Sequence, residues 1–232
     1  MPTSTPPVWS HFRIYQAQLS LFFVLGVVVA VLLYPSRETS QPFAVEYVYS
    51  SFVFGEILLP PTVGWLASGI MLRDPFQEVV LTTPYSQTRL TLERLSVLLA
   101  AALLVWLAVL LFVWQLAGQP QINLWKLGLA TLPAMLLFGA TGLWSGLRLR
   151  AWVGGGFCVT LLWGSGLVFR HAWLGLPLFY PFLTYFAAEH SEHPAWWMNR
   201  LLLCVVAGVL IGDACRLVNN EELLLSAGRE DA

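Results

Sequence analysis

The chain has 232 residues, 57% of them hydrophobic and only 11% charged, with a mean hydropathy of +0.69. That mixture excludes an ordinary water-soluble domain. Twelve basic residues against 13 acidic ones, a net charge of -1, provide no basic field of the kind that holds nucleic acid.

The segment 1–18 is rich in Pro, Ser and Thr, and places Val8, Trp9, Phe12, Ile14 and Tyr15 around His11 and Arg13. It reads either as an interfacial helix leading into the membrane or as a frayed tail. No small-residue cleavage site follows the first apolar block, so that block is expected to remain as a span. Apolar blocks follow at 19–34, 49–72, 95–116, 124–147, 151–169 and 196–215, with a polar tail at 216–232. About 20 apolar residues are what a helix needs to cross hydrocarbon, and in lipid each segment must satisfy its own backbone. The expected fold is all-α: a single polytopic transmembrane domain of about six helices. The stretch 171–188 is apolar and aromatic but carries Pro177 and Pro181, so it is expected to re-enter or lie in the interface, as a hairpin between spans five and six.

Charge distribution sets the expected orientation. With six spans and a cytoplasmic N-terminus, Arg13, Arg73, Arg89, Arg94, Arg148, Arg150, Arg216 and Arg229 lie inside, and Arg37, Lys126, Arg170 and Arg200 outside: eight against four. A seventh span would give seven against five, a weaker bias. The expected location is the cytoplasmic membrane, multi-pass, with both termini inside. Trp114, Trp125, Trp152, Trp173, Trp196 and Trp197 sit near block ends, as an aromatic belt does. Cys158, Cys204 and Cys215 lack the close spacing of a metal or redox pair and read as small core residues.

The loop after span two carries the most information. Asp74 is a good N-cap, Pro75 suits the first helical position, Glu78 favours the positive end of the helix dipole, and Pro84 ends the helix. Phe76, Val79 and Val80 share a face, with Gln77, Glu78, Leu81 and Thr82 on the more polar side. A second run from Thr88 leads into span three with Arg89, Glu93 and Arg94 at the inner boundary. A short helix between two spans is a lever, because force on its exposed face moves both.

The run Glu78-Val79-Val80-Leu81-Thr82-Thr83-Pro84-Tyr85-Ser86-Gln87-Thr88-Arg89, with the six-span layout, resembles the permease subunits of ABC-2 type transporters. It departs from them in having Pro75-Phe76-Gln77 where a Gly-Thr pair often precedes the acidic residue. The resemblance implies a coupling helix that docks on a cytoplasmic P-loop ATPase subunit through Asp74, Phe76, Gln77, Glu78, Leu81, Thr82, Pro84 and Arg89. It also implies a second permease half, identical or not, and export of an amphipathic or apolar substrate. There is no Gly-x-x-x-x-Gly-Lys-Ser/Thr run, so no cofactor is expected on this chain. ATP and Mg belong to the partner.

Glu56 is the acid well inside a span, and Pro60 and Pro61 follow it. An intramembrane carboxylate is costly, so Glu56, Pro60 and Pro61 are candidates to line the transport pathway. The alternative is that Glu56 reaches the headgroups. The prolines are expected to kink the span. Gly154–Gly156, Gly164 and Gly166 are expected to let helices approach. His190 and His193, beside Glu189 and Glu192, read as a solvated loop, and Asp213 with Arg216 as a local helix pair. No setting for catalysis or metal binding is found, and the chain is not expected to be an enzyme. A non-transporting membrane scaffold or assembly factor is the alternative function.

Overall fold

The computed structural model describes residues 53–72, 86–116, 124–169 and 194–219. The expectations for segments 1–18 and 19–34, for Asp74 to Pro84, for the 171–188 hairpin, for His190 and His193 and for most of the tail lie outside these residues. Within them the chain is all-α, with five α-helices: α1 (Leu59–Ser68), entered through a π-helical segment Val53–Leu58, α2 (Gln87–Leu116), α3 (Leu124–Leu149), α4 (Trp152–Val168) and α5 (Trp196–Val218). Three carry apolar stretches long enough to cross a membrane: Gln87–Leu111, Gly128–Leu149 and Trp196–Val218. The protein is thus read as a multi-pass membrane protein.

Helices α3, α4 and α5 lie within a few residues of apolar blocks, while α2 and α1 differ from them. Helix α2 runs unbroken through the polar run Thr88 to Arg94 for 30 residues, about 45 Å at 1.5 Å per residue, so its first turns can stand beyond a 30 Å hydrocarbon core. In α1 the prolines do not kink a helix from within. The ladder changes from π to α at Leu59, leaving Pro60 and Pro61 in the first turn, where their missing N–H groups cost little.

Contacts fix the direction of each helix. Gly142 of α3 faces Gly64 of α1, and Gly146 faces Ser68 one turn further on in both, so α1 and α3 run parallel. Ala130 meets Arg200 and Trp144 meets Asp213, so α5 runs parallel to them. Arg94 meets Ile70 while Trp106 meets Gly55, making α2 antiparallel. Ser68 meets Trp152 and Ile57 meets Trp163, making α4 antiparallel too. The two groups of helices alternate in direction along the chain.

Helix α3 is the centre. Its apolar window is 67% buried by protein, against 22% for α5. The α1–α3–α4 contact is backbone on backbone. A Cβ on Gly142 would overlap the Gly64 carbonyl, one on Gly146 would lie 2.5 Å from the Ser68 oxygen, and one on Gly155 would lie 2.7 Å from the Gly146 nitrogen. Such close approach is how helices associate in lipid, where the hydrophobic effect between them is absent. Gly155 and Gly156 fulfil the packing expectation, whereas Gly164 faces open space. Ser68 donates to the carbonyls of Trp65 and Trp152, and Ser145 donates to that of Thr141, so the hydroxyls in this seam are satisfied.

The turn between α3 and α4 is two residues long. Ala151 N–H donates to Gly146 O and Arg150 N–H to Leu147 O, the Schellman pattern, with Arg150 at φ 54° where glycine is the usual residue. Helix α5 buries Trp196, Asn199, Arg200, Leu203, Ala207, Ala214 and Val218 along one stripe. Cys204 lies on its exposed side and Cys158 and Cys215 are half-buried; the expectation that all three are core residues fails because this bundle turns apolar faces outward, as lipid allows.

Candidate functional site

Polar side chains gather at two levels of the bundle. The first is at the end where α1 finishes and α2 begins. The α1 C-terminus leaves carbonyls without helical partners. The Arg94 guanidinium, from the second turn of α2 and 4% exposed, donates to Ile70 O at 3.1 Å and lies 3.9 Å from Met71 Sδ. A cation at a helix C-terminus complements both the orphan acceptor and the dipole. Arg94 therefore pins together the two helices joined by residues 73–85. Nearby, Thr88 Oγ1 bonds Asn219 Oδ1 at 2.9 Å, tying the start of α2 to the end of α5.

Among the predicted partner-binding residues, Arg89 alone is described. It is exposed and paired with Glu93 at 2.9 Å on its own helix, a geometry worth about 0.3–0.5 kcal/mol. Asp74, Phe76, Gln77, Glu78, Leu81, Thr82 and Pro84 fall between described segments. Asp213 does not pair with Arg216; its carboxylate accepts from Trp144 Nε1 at 2.8 Å and joins α5 to α3. Sequence spacing favoured the neighbour one turn away, but the tryptophan 69 positions distant is the partner.

Arg89, Arg94, Arg148, Arg150 and Arg216 all stand at this end, while Arg200 stands at the other, among the basic side chains described.

The second level lies towards the opposite end. Glu56 sits within the π-helical segment and is 1% exposed, so it turns into the protein and does not reach headgroups. Pro60 lies one turn below it, also buried, and Pro61 is half-buried. Gly55 presses on two helices at once: a Cβ there would collide with Trp106 Nε1 of α2 and lie 3.1 Å from Thr131 Oγ1 of α3. Trp106 and Thr131 are 3% and 1% exposed, and neither polar atom has a hydrogen-bond partner. Next to Thr131, the carbonyl of Ala130 accepts from Arg200 Nη1 at 2.6 Å, and Arg200 Nε donates to Asn199 Oδ1 at 2.7 Å. Arg200 is 4% exposed, so it points into the bundle, not into solvent.

Glu56 and the prolines were legible as candidates from a carboxylate in an apolar block. Trp106, Thr131, Asn199 and Arg200 were not, because only the packing brings four helices to one height. The available signal was Arg200 lying inside the last apolar block.

Compared with known protein families, with curated proteins and with solved structures, the chain matches none.

Proposed function

We propose that this chain is the membrane permease subunit of an ABC-2-like exporter, crossing the bilayer six times and driven by a separate P-loop ATPase. The observation that carries the reading is the Arg94 contact with Ile70. It fastens the α1 and α2 ends together at the basic end, so that force on the intervening residues 73–85 moves two spans at once. The parallel directions of α3 and α5 support six spans: the chain leaves α4 and re-enters α5 at the same end, which agrees with a 171–188 hairpin better than with a single extra crossing. The interacting surface is formed by Asp74, Phe76, Gln77, Glu78, Leu81, Thr82, Pro84 and Arg89. The pathway passes Glu56, Pro60 and Pro61. A second six-helix half encloses it, and the cargo is amphipathic or apolar.

The test is purification of the tagged chain in mild detergent, with mass spectrometry and an ATPase assay of the eluate. A stoichiometric P-loop protein is expected, and replacing Gln77, Glu78, Leu81 and Thr82 together by Ala should release it. A chain that purifies alone and without ATPase activity overturns the reading in favour of a scaffold.

A further inference from the structure

Exposed arginines occur at 148 and 150, where α3 turns into α4, with the exposed Leu149 between them. Arg148, in the last turn of α3, complements the C-terminus of its own helix. Arg150 lies past the helix end at φ 54°, where glycine would close the turn without the strain that a Cβ brings. Closing the turn therefore accounts for Arg148 but not for an arginine at 150.

Below the arginines the outward surface is apolar. A Cβ on Gly154 would lie 3.0 Å from Leu149 Cδ1, so the leucine folds over the first turn of α4. Val153, Phe157 and Leu161 continue from it one turn apart, and all four side chains are more than half exposed. From Val153 to Leu161 the strip runs about 12 Å at 1.5 Å per residue, most of the roughly 15 Å of hydrocarbon in one leaflet. Polar atoms on this face are satisfied by protein: Trp65 Nε1 donates to Thr160 Oγ1 and Thr160 donates to Gly156 O, both at 3.0 Å. Trp65 also meets Trp152 edge to face, with ring centroids 6.2 Å apart. Paired tryptophans beside the arginines mark the headgroup level.

Charge and shape together select the occupant. Guanidinium groups bind phosphate through paired N–H donors, and the strip matches an acyl chain lying along a helix. Arg150 has an interaction within the chain as well, but a guanidinium carries five donors. A soluble anion would leave the strip unused, and an uncharged lipid would leave the arginines unused. We propose that Arg148 and Arg150 hold the phosphate of an anionic phospholipid whose chain lies along Leu149, Val153, Phe157 and Leu161. The site needs no ATPase partner, so it is independent of the exporter reading.

The experiment is native mass spectrometry of the full chain in detergent, titrated with phosphatidylglycerol or with phosphatidylcholine. Each arginine near an anionic headgroup contributes about fivefold, so the parent is expected to prefer phosphatidylglycerol by about 25-fold. Arg150→Gly should reduce that preference to about fivefold while raising the melting temperature, because glycine suits the positive φ. Arg148→Gln combined with Arg150→Gly should abolish it. Arg216→Gln, which removes an exposed arginine from the same end on α5, should leave it unchanged. Phosphatidylglycerol carrying a photoreactive acyl chain should attach to Val153, Phe157 or Leu161. Equal affinity of the parent for the two lipids, a preference that survives in the double variant or is lost equally in Arg216→Gln, or attachment only elsewhere overturns the proposal. A lower melting temperature in Arg150→Gly would assign that arginine to the turn itself and overturn its role here.

Discussion

At the level of Gly142 and Gly146, backbone lies on backbone and the hydroxyls of Ser68 and Ser145 have acceptors. At the level of Gly55, glycine again admits a close neighbour, but the atoms that arrive, Trp106 Nε1 and Thr131 Oγ1, have no partner. The same residue type serves two ends. In the first seam it maximises dispersion between helices, the main attraction available to them in lipid. In the second it brings together two buried polar groups that no protein atom satisfies, at a cost in stability. The lower seam is thus read as a rigid frame, and the upper level as the less fully satisfied part of the packing.

Substitutions at glycine separate the two roles of close contact and open surface. The largest expected effect is at Gly142, where a Cβ would overlap the Gly64 carbonyl. Backbone cannot yield as a side chain does, so Gly142→Ala should destabilise by about 3 kcal/mol, the upper part of the overpacking range, measured by denaturant unfolding in detergent. The smallest is at Gly212 on α5, where nothing lies within 4 Å. Gly212→Ala should stabilise by up to about 1 kcal/mol through helix propensity alone. Equal effects at the two positions would mean that the seam is not as tight as the contacts indicate.

Much of the fold is legible in the sequence because lipid imposes simple rules on length and hydropathy. The α3, α4 and α5 bounds, Leu124–Leu149, Trp152–Val168 and Trp196–Val218, fall within a few residues of the apolar blocks. What sequence does not carry is register. Nothing near Asp213 announces Trp144, and nothing near Gly55 announces Trp106 or Thr131, because each contact depends on how far one helix slides along another. The π-helical segment is hidden for a related reason: Pro60 and Pro61 signal a break, but whether it is a kink or a change of ladder depends on what packs against it. Arg94 and Arg200 were counted as boundary charges, and their burial reflects carbonyls of other helices, at Ile70 and Ala130, that no local pattern predicts.

The account depends on α1, α3 and α5 running one way and α2 and α4 the other, with the Arg94 end in the cytoplasm. Single cysteines at Ser86, Pro194 and Asn219, placed in a chain whose Cys158, Cys204 and Cys215 are replaced by Ala, test this directly with a membrane-impermeant maleimide. The account predicts that Pro194→Cys is labelled on intact cells, and that Ser86→Cys and Asn219→Cys are labelled only after permeabilisation. Labelling of Pro194→Cys and Asn219→Cys from the same side would contradict it.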